Sequence, residues 1–155
     1  MNALRRNVLK GAAGAGTVAV AVAAGLLKPT QALAGSPRGA FEAKNVGDAM
    51  KGMGVSAPAD SKDIVINAPD IAENGAVVPV GVTSKIPNTQ GVYILVDKNP
   101  SALAAGFTIP PGTEANVATR IKMGQTSNVH AVVKAGDKFY VATKEVKVTL
   151  GGCGG

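Results

Sequence analysis

The sequence predicts an all-β protein, an Ig-like antiparallel β-sandwich with a short N-terminal helix and a flexible glycine-rich C-terminal arm. About seven short segments alternate between apolar and polar residues, and turn residues separate them at the spacing typical of β-sandwiches. The chain has no tryptophan and a single cysteine, which excludes an antibody-type core built around a disulfide. A closed barrel is the alternative architecture.

The segment 1–34 has the layout of a cleavable export signal. Arg5 and Arg6 begin a pattern that resembles a twin-arginine motif, and a weakly apolar stretch rich in Ala, Gly and Val follows. Ala32 and Ala34 form a small-residue cleavage site of the A-x-A kind. A transmembrane anchor is the alternative, but the apolar run is short and its Ala and Gly contribute little transfer energy. The sequence therefore predicts twin-arginine export to the periplasm, with no stable membrane anchoring.

Most of the positive charge belongs to this signal. The whole chain has a formal charge of +6, and the segment 1–34 holds four cationic side chains and no acidic one. Cleavage after Ala34 would leave residues 35–155 with a charge of about +2 and a length that fits one small domain. The remaining basic residues do not cluster with aromatic ones, so the sequence does not indicate a nucleic-acid-binding protein.

The predicted domain, 35–150, begins with the only helical pattern in that part of the chain. A helix is predicted over 41–54, with Asn45 as a candidate cap and Gly52 and Gly54 at its end. Its apolar face comprises Val46, Ala49, Met50 and Met53.

From residue 63 onward the apolar residues follow the period of strands. Strands are predicted over 64–66, 76–83, 91–97, 106–109, 116–123, 129–133 and 139–150. The segment 91–97 is apolar on both faces, which predicts a central strand between two layers. Pro79 indicates an edge strand or a bulge in its segment. The apolar parity changes within 139–150, which predicts a bulge or break near Lys144 because both sets cannot face one core on a regular strand.

The segment 151–155 consists of Gly151, Gly152, Cys153, Gly154 and Gly155. Glycines offer no side-chain surface for packing and lose the most backbone entropy when they are ordered, so this segment is predicted to be a flexible arm. An unpaired cysteine in an exported protein suggests an intermolecular bond or a reactive role. The alternative is an incidental cysteine in a frayed tail.

The arm lacks the groups that would make Cys153 a catalytic nucleophile. An unperturbed thiol has a pKa of about 8.5, and the arm contains no His, Lys or Arg that would lower it. The sequence therefore predicts no catalytic residue and no enzyme. It predicts an attachment point that other enzymes load, with sulfur joined and released by thiol–disulfide-type exchange.

A metal protein is a weaker interpretation of the same chain. His130 stands alone in a strand, and a metal site needs three or four converging ligands, so a core or surface histidine is expected. Met50, Met53 and Met123 are interpreted as core or partner-contact residues and not as copper ligands. No metal site and no bound cofactor is predicted.

Several motifs together resemble those of a known family. They are the twin-arginine signal, Asn99-Pro100 followed by 104–107, the strand 129–133, the ending 146–149 and the tail 151–155. The chain resembles the SoxY family, the sulfur-carrier subunits of the thiosulfate-oxidising (Sox) multienzyme system. The resemblance covers the whole chain, and the tail is its most specific element. It implies that Cys153 carries covalently bound sulfur intermediates of thiosulfate oxidation.

The resemblance also implies partners. Members of the family work as a heterodimer with SoxZ, which is also a β-sandwich protein. In the family a haem cytochrome loads the thiol, a manganese-dependent hydrolase removes sulfate, and a molybdenum-haem sulfur dehydrogenase oxidises the remaining sulfur. None of these cofactors is expected to bind to this chain. The apolar content of 35–155, with few aromatic residues, is consistent with an exposed sheet face that docks a partner.

Two other functions remain open from the residues alone. A ubiquitin-like sulfur carrier also ends in Gly-Gly, but it would carry sulfur on its terminal carboxyl group, and the export signal and the adjacent Cys153 argue against it. An exported interaction domain without chemistry would keep its function in a Cys153→Ser variant.

Overall fold

Nine strands and two short helices make up residues 38–149, the part of the chain that this computed structural model describes. In chain order they are α1 (Arg38–Glu42), α2 (Val46–Gly52), β1 (Ala59–Asp60), β2 (Ile64–Asn67), β3 (Ile71–Ala72), β4 (Val78–Ser84), β5 (Thr89–Val96), β6 (Leu103–Thr108), β7 (Asn116–Ile121), β8 (Ser127–Ala135) and β9 (Lys138–Val148).

The strands form two sheets. The larger sheet has six strands in the order β1-β9-β8-β5-β6, with β3 also paired to β9, and the smaller has three in the order β2-β4-β7. The fold class predicted from the sequence, an all-β sandwich, is confirmed. The pairing is antiparallel except that the two-residue strands β1 and β3 run parallel to β9, which the sequence did not predict.

The main core lies between the two sheets. Every second residue of β4 is buried there, namely Val78, Val80 and Val82, as their spacing predicted. Ile94 of β5 and Val133 of β8 are fully buried in the same cluster. Because successive side chains of a strand point to opposite faces, apolar residues at every second position place one apolar face of the strand in this core.

A second core covers the opposite face of the larger sheet. Leu95, Val132 and Val141 belong to this cluster, together with Ala40 of α1 and Ala49 of α2. The segment 91–97 was predicted to be a central strand between two layers, and this is confirmed: β5 lies between β8 and β6 and is buried on both faces.

The bulge predicted near Lys144 is wrong. β9 pairs with β8 without a register shift from Ser127↔Val146 to Ala135↔Lys138. The change of apolar parity has another cause. Val146 faces the core between the sheets, whereas Val141 faces the helix-side core, so a regular strand buries both sets in different layers.

The single helix predicted over 41–54 is also wrong, because the chain forms two shorter helices there. Asn45 has an extended backbone (φ −136°, ψ 157°) that separates them. Its predicted capping role is confirmed, since the Asp48 amide donates to Asn45 Oδ1 at 2.8 Å. Gly52 approaches Ala40 closely, and Gly54 follows with φ +77°, a left-handed conformation that suits glycine after a helix.

The position of Pro79 also differs from the prediction. β4 is the central strand of its sheet, so the edge-strand interpretation of Pro79 fails for the strand as a whole. However, β2 pairs with β4 only from Gly81 onward, so Pro79 lies beyond the end of β2.

Two further sequence predictions concern β6 and the turn before β9. β6 begins at Leu103, three residues earlier than predicted. The turn predicted at Gly136 is confirmed and has φ +60°.

No helix within residues 38–149 is long and apolar enough to span a membrane.

The buried and exposed isoleucines offer a matched test of this architecture. We expect Ile94→Ala to lower the free energy of unfolding by about 2–5 kcal/mol, because its side chain is 0% exposed between the sheets. Ile71→Ala makes the same chemical change at a side chain that is 57% exposed, and we expect an effect within about 0.5 kcal/mol. Denaturant unfolding measures both. Similar losses in the two variants would contradict the burial pattern.

Candidate functional site

The residues predicted to carry the function lie outside the described part of the chain. They are the attachment residue Cys153, the arm glycines Gly151, Gly152, Gly154 and Gly155, the signal arginines Arg5 and Arg6, and the cleavage residues Ala32 and Ala34. The structure does describe β9, the strand that leads toward Cys153, and the chain as far as Thr149.

The end of β9 is fixed by backbone hydrogen bonds. β3 pairs with it in parallel at Lys147 and Val148. The Thr149 amide then donates to the Ala72 carbonyl at 3.1 Å, and the Val148 amide donates to Thr126 Oγ1 at 3.0 Å. The backbone is therefore anchored up to the last described residue, four positions before Cys153.

Lys144 of β9 contacts the segment that precedes β3. Its Nζ donates to the Ala68 carbonyl at 2.6 Å and lies 3.0 Å from Asp70 Oδ1. Asp70 is well exposed, so the ion pair adds little stability, but the bond to the carbonyl ties β9 to the segment that leads into β3. Since the Lys147 amide also donates to the Asp70 carbonyl at 2.9 Å, β9 and this segment form one connected unit.

Gly75 allows the chain after β3 to pack tightly against the end of β9. A Cβ atom at this position would overlap the Met123 carbonyl and lie 2.8 Å from Val148 Cγ1. The Gly75 carbonyl accepts a bond of 2.7 Å from the Met123 amide. Only glycine fits here, because any side chain would push against backbone and against Val148.

A polar cluster lies on the helix-side face of the larger sheet, near the same end. His130 Nε2 is 2.8 Å from Asp97 Oδ1, and Nδ1 is 2.9 Å from Thr143 Oγ1. Asp97 Oδ2 also accepts from Asn128 Nδ2 at 3.0 Å. Because an ionised carboxylate only accepts, Nε2 donates to Asp97, and Nδ1 shares a hydrogen bond with the Thr143 hydroxyl. The cluster joins β8 and β9 to the chain that follows β5.

This placement agrees with the interpretation of His130 as a strand histidine. Both ring nitrogens have partners within the protein, so the ring bridges strands and offers no free nitrogen to a thiol. Within residues 38–149, no three His, Cys, Asp or Glu side chains come together as a metal site would require. Met123 is fully buried between the sheets, and Met50 and Met53 pack in the helix-side core, as expected of core residues.

The sequence interpretation missed the residues that anchor β9. β3 has only two residues, which is too short for any periodicity to show. The pair Asn74-Gly75 was a detectable turn signal, and Asn74 Oδ1 indeed accepts from the Ala76 amide at 2.9 Å. What Gly75 packs against depends on the tertiary structure, so the signal could have located the turn but not its role.

Comparisons with known proteins agree on one class. The family model described as "Sulfur oxidation protein SoxY" matches residues 50–153. A solved structure of the sulfur carrier protein SoxY from Chlorobium limicola f thiosulfatophilum is 41% identical. The alignment covers 68% of this chain and 97% of that chain, with a TM-score of 0.63. These matches define a sulfur carrier protein of the sulfur-oxidation class. The chain belongs to the SoxY family.

Two further comparisons add nothing about function. A structure described as the structural basis of T cell specificity and activation by the bacterial superantigen toxic shock syndrome toxin-1 is 13% identical over 56% of this chain and 99% of that one. Its TM-score of 0.40 is too low to support an argument. No curated protein matches the chain.

The close packing at Gly75 predicts a selective effect of a single methyl group. We expect Gly75→Ala to lower the free energy of unfolding by about 1–3 kcal/mol, because the new Cβ cannot fit between Met123 and Val148. Gly124→Ala is the matched control: apart from its chain neighbours, no atom lies within 4 Å of its Cβ position, and its effect should stay within about 0.5 kcal/mol. Hydrogen exchange should show faster opening at Val148 and Thr149 only in the first variant. Equal exchange in both variants would contradict this role.

Proposed function

We propose that Cys153 is the covalent attachment site for sulfur intermediates of thiosulfate oxidation, presented to partner enzymes on a flexible arm. Membership of the SoxY family makes the protein a sulfur-oxidation carrier, and the proposal assigns the residue. The observation that carries it is that the family match extends to Cys153, the only cysteine in the chain.

The anchored end of β9 supports the idea of an arm with a fixed base. The described chain is hydrogen-bonded up to Thr149, and Cys153 follows four residues later. Four extended residues reach about 13–14 Å. That length would let the thiol enter a narrow cleft of another protein. Because the flanking glycines have no side chains, the segment could pass through a cleft that is only wide enough for a backbone.

Loading would join Cys153 Sγ to the outer sulfur of thiosulfate. A thiolate and thiosulfate form one S–S bond and release two electrons, which would pass to the haem cytochrome that the family implies. The product is an S-thiosulfonate on Cys153. Attack of water on its sulfonate sulfur would break the S–S bond, release sulfate and two protons, and leave a persulfide on Cys153.

The residues near Cys153 in the sequence suggest that partner enzymes, and not the carrier, activate its thiol. The arm has no base of its own, and His130 already uses both ring nitrogens within the sheet. Activation of the thiol would therefore come from the enzymes that the arm visits: the cytochrome, the manganese-dependent sulfate thiohydrolase and a sulfur dehydrogenase. The carrier itself would bind no cofactor and catalyse no step.

Compartment and export fit the same role. Proteins of the Sox system are typically periplasmic. We propose that Arg5 and Arg6 direct the folded protein to the twin-arginine route and that cleavage after Ala34 leaves residues 35–155 as the mature chain.

Intact mass of the protein isolated from cells grown on thiosulfate tests the attachment. We expect a chain beginning at residue 35, with added mass corresponding to sulfur atoms, a sulfonate or a thiosulfonate. Reductant should remove the disulfide-linked adducts. Cys153→Ser should abolish every adduct without changing the unfolding midpoint. An unmodified thiol under these growth conditions, or an adduct that persists in Cys153→Ser, would overturn the proposal.

The absence of side chains beside Cys153 leads to a separate prediction. Gly152→Val and Gly154→Val should each slow loading by the partner cytochrome by about 10-fold or more, because a branched side chain would obstruct entry into a narrow cleft. Reaction of Cys153 with a small aromatic disulfide reagent should stay nearly unchanged, since solvent access is kept. If loading and the reaction with the small reagent slow by the same factor, the substitution has changed the reactivity of the thiol instead. An unchanged loading rate would show that glycine is not required beside Cys153.

A further inference from the structure

The turn that packs against the end of β9 contains the only Asn-Gly pair of the sequence, Asn74-Gly75. In such a pair the backbone nitrogen of the glycine can attack the side-chain carbonyl carbon of the asparagine, because no side chain shields that nitrogen. Every other asparagine within residues 38–149 precedes a residue that has a side chain. The sequence therefore favours Asn74 over the others for deamidation, the loss of ammonia from an asparagine side chain.

The two residues of this pair differ in burial. Asn74 is exposed, so water reaches its carboxamide group and ammonia can leave. Gly75 is buried, and its carbonyl accepts a bond of 2.7 Å from the Met123 amide. The attacking nitrogen therefore belongs to a fixed part of the backbone, whereas the carbon that it would attack lies at the surface.

The carboxamide group of Asn74 is turned toward the backbone that follows it. Its Oδ1 accepts a bond of 2.9 Å from the Ala76 amide, and the Asn74 backbone carbonyl accepts from the Val77 amide at 3.3 Å. Attack on Asn74 Cγ would place negative charge on Oδ1, the atom to which the Ala76 amide already donates. A donor that is in place where negative charge develops lowers the barrier of such a reaction.

The attacking nitrogen is free of competing hydrogen bonds. In the part of the chain that the structure describes, the Gly75 amide donates to no backbone or side-chain acceptor. It therefore loses no hydrogen bond when it gives up its proton and attacks. Because both reacting groups belong to one turn, the reaction is intramolecular and needs no catalyst to bring them together.

We propose that Asn74 deamidates spontaneously in the folded protein and that the isoaspartate formed there loosens the end of β9. In the first step the Gly75 nitrogen bonds to Asn74 Cγ and the Cγ–Nδ2 bond breaks. Ammonia leaves with the proton of the Gly75 amide, and a succinimide ring remains. Water then opens the ring at either carbonyl to give aspartate or isoaspartate, with no change of oxidation state.

The two products differ in the length of the backbone. Aspartate keeps the original length, and its carboxylate can accept the same bond from the Ala76 amide. Isoaspartate routes the main chain through the former side chain and adds one methylene group before Gly75. Gly75 has no room to take up this length, because its position is packed against the Met123 carbonyl and Val148 Cγ1. The turn must shift, and the packing against Val148 is lost.

The loss of this packing affects the last described residues. The Val148 amide donates to Thr126 Oγ1, and the Thr149 amide donates to the Ala72 carbonyl, just before the turn. If both bonds open, two more residues can move freely, which adds about 7 Å of extended chain. Under the proposed function, the modified protein would carry Cys153 on a longer and less well positioned arm. The modification itself does not depend on that function.

Peptide mapping of the intact protein after incubation at mildly alkaline pH tests the modification. We expect Asn74 to deamidate at least about 10-fold faster than the exposed Asn88, whose neighbour Thr89 shields its backbone nitrogen. Isoaspartate should be among the products at Asn74. The folded protein should react at least as fast as the chain unfolded in denaturant, because the turn holds the reacting groups together.

Two results of this experiment would overturn the proposal. One is an equal rate at Asn74 and Asn88. The other is a folded protein that reacts about 10-fold more slowly than the unfolded chain, since the turn would then protect Asn74. Asn74→Ser keeps a turn-forming oxygen and has no amide group to lose, so this variant should release no ammonia from the turn.

Hydrogen exchange tests the effect on β9. The deamidated protein can be separated from the unmodified protein by its additional negative charge. We expect the amides of Val148 and Thr149 to exchange at least about 10-fold faster in its isoaspartate form than in the unmodified protein. Asn74→Asp is the matched control, because it has the charge of the product and the original backbone length, and its exchange should be unchanged.

Equal exchange in the isoaspartate form and in Asn74→Asp would contradict the proposed loosening of β9. Both experiments can be repeated in a Cys153→Ser background, where no sulfur can be attached to the chain. The same rates are expected there, so a failure of this inference can be told apart from a failure of the carrier proposal.

Discussion

The larger sheet must be buried on both faces, and most of the structure follows from this constraint. Ile94 and Leu95 are consecutive and both fully buried, although their side chains point to opposite faces of β5. Two consecutive apolar residues in a strand can be buried only if a layer covers each face. The smaller sheet provides one layer, and α1 and α2 provide the other.

β9 connects this double-layered core to the C-terminal segment. Its residue Val146 is fully buried between the sheets, while β3, Gly75 and Thr126 hold the residues that follow. Under the proposed function, this anchored strand is the fixed base from which the chain continues to Cys153, and the four residues after Thr149 limit the reach of the thiol.

The sequence by itself determined the strand periods, the cap at Asn45, the turn at Gly136 and the presence of a single cysteine in a glycine tail. These are local properties of spacing and side-chain chemistry. The tertiary structure decided the rest. The parity change in β9 suggested a bulge near Lys144 because one strand does not reveal how many layers cover it. β3 stayed hidden because two residues have no period, and its pairing with β9 depends on segments that are distant in sequence.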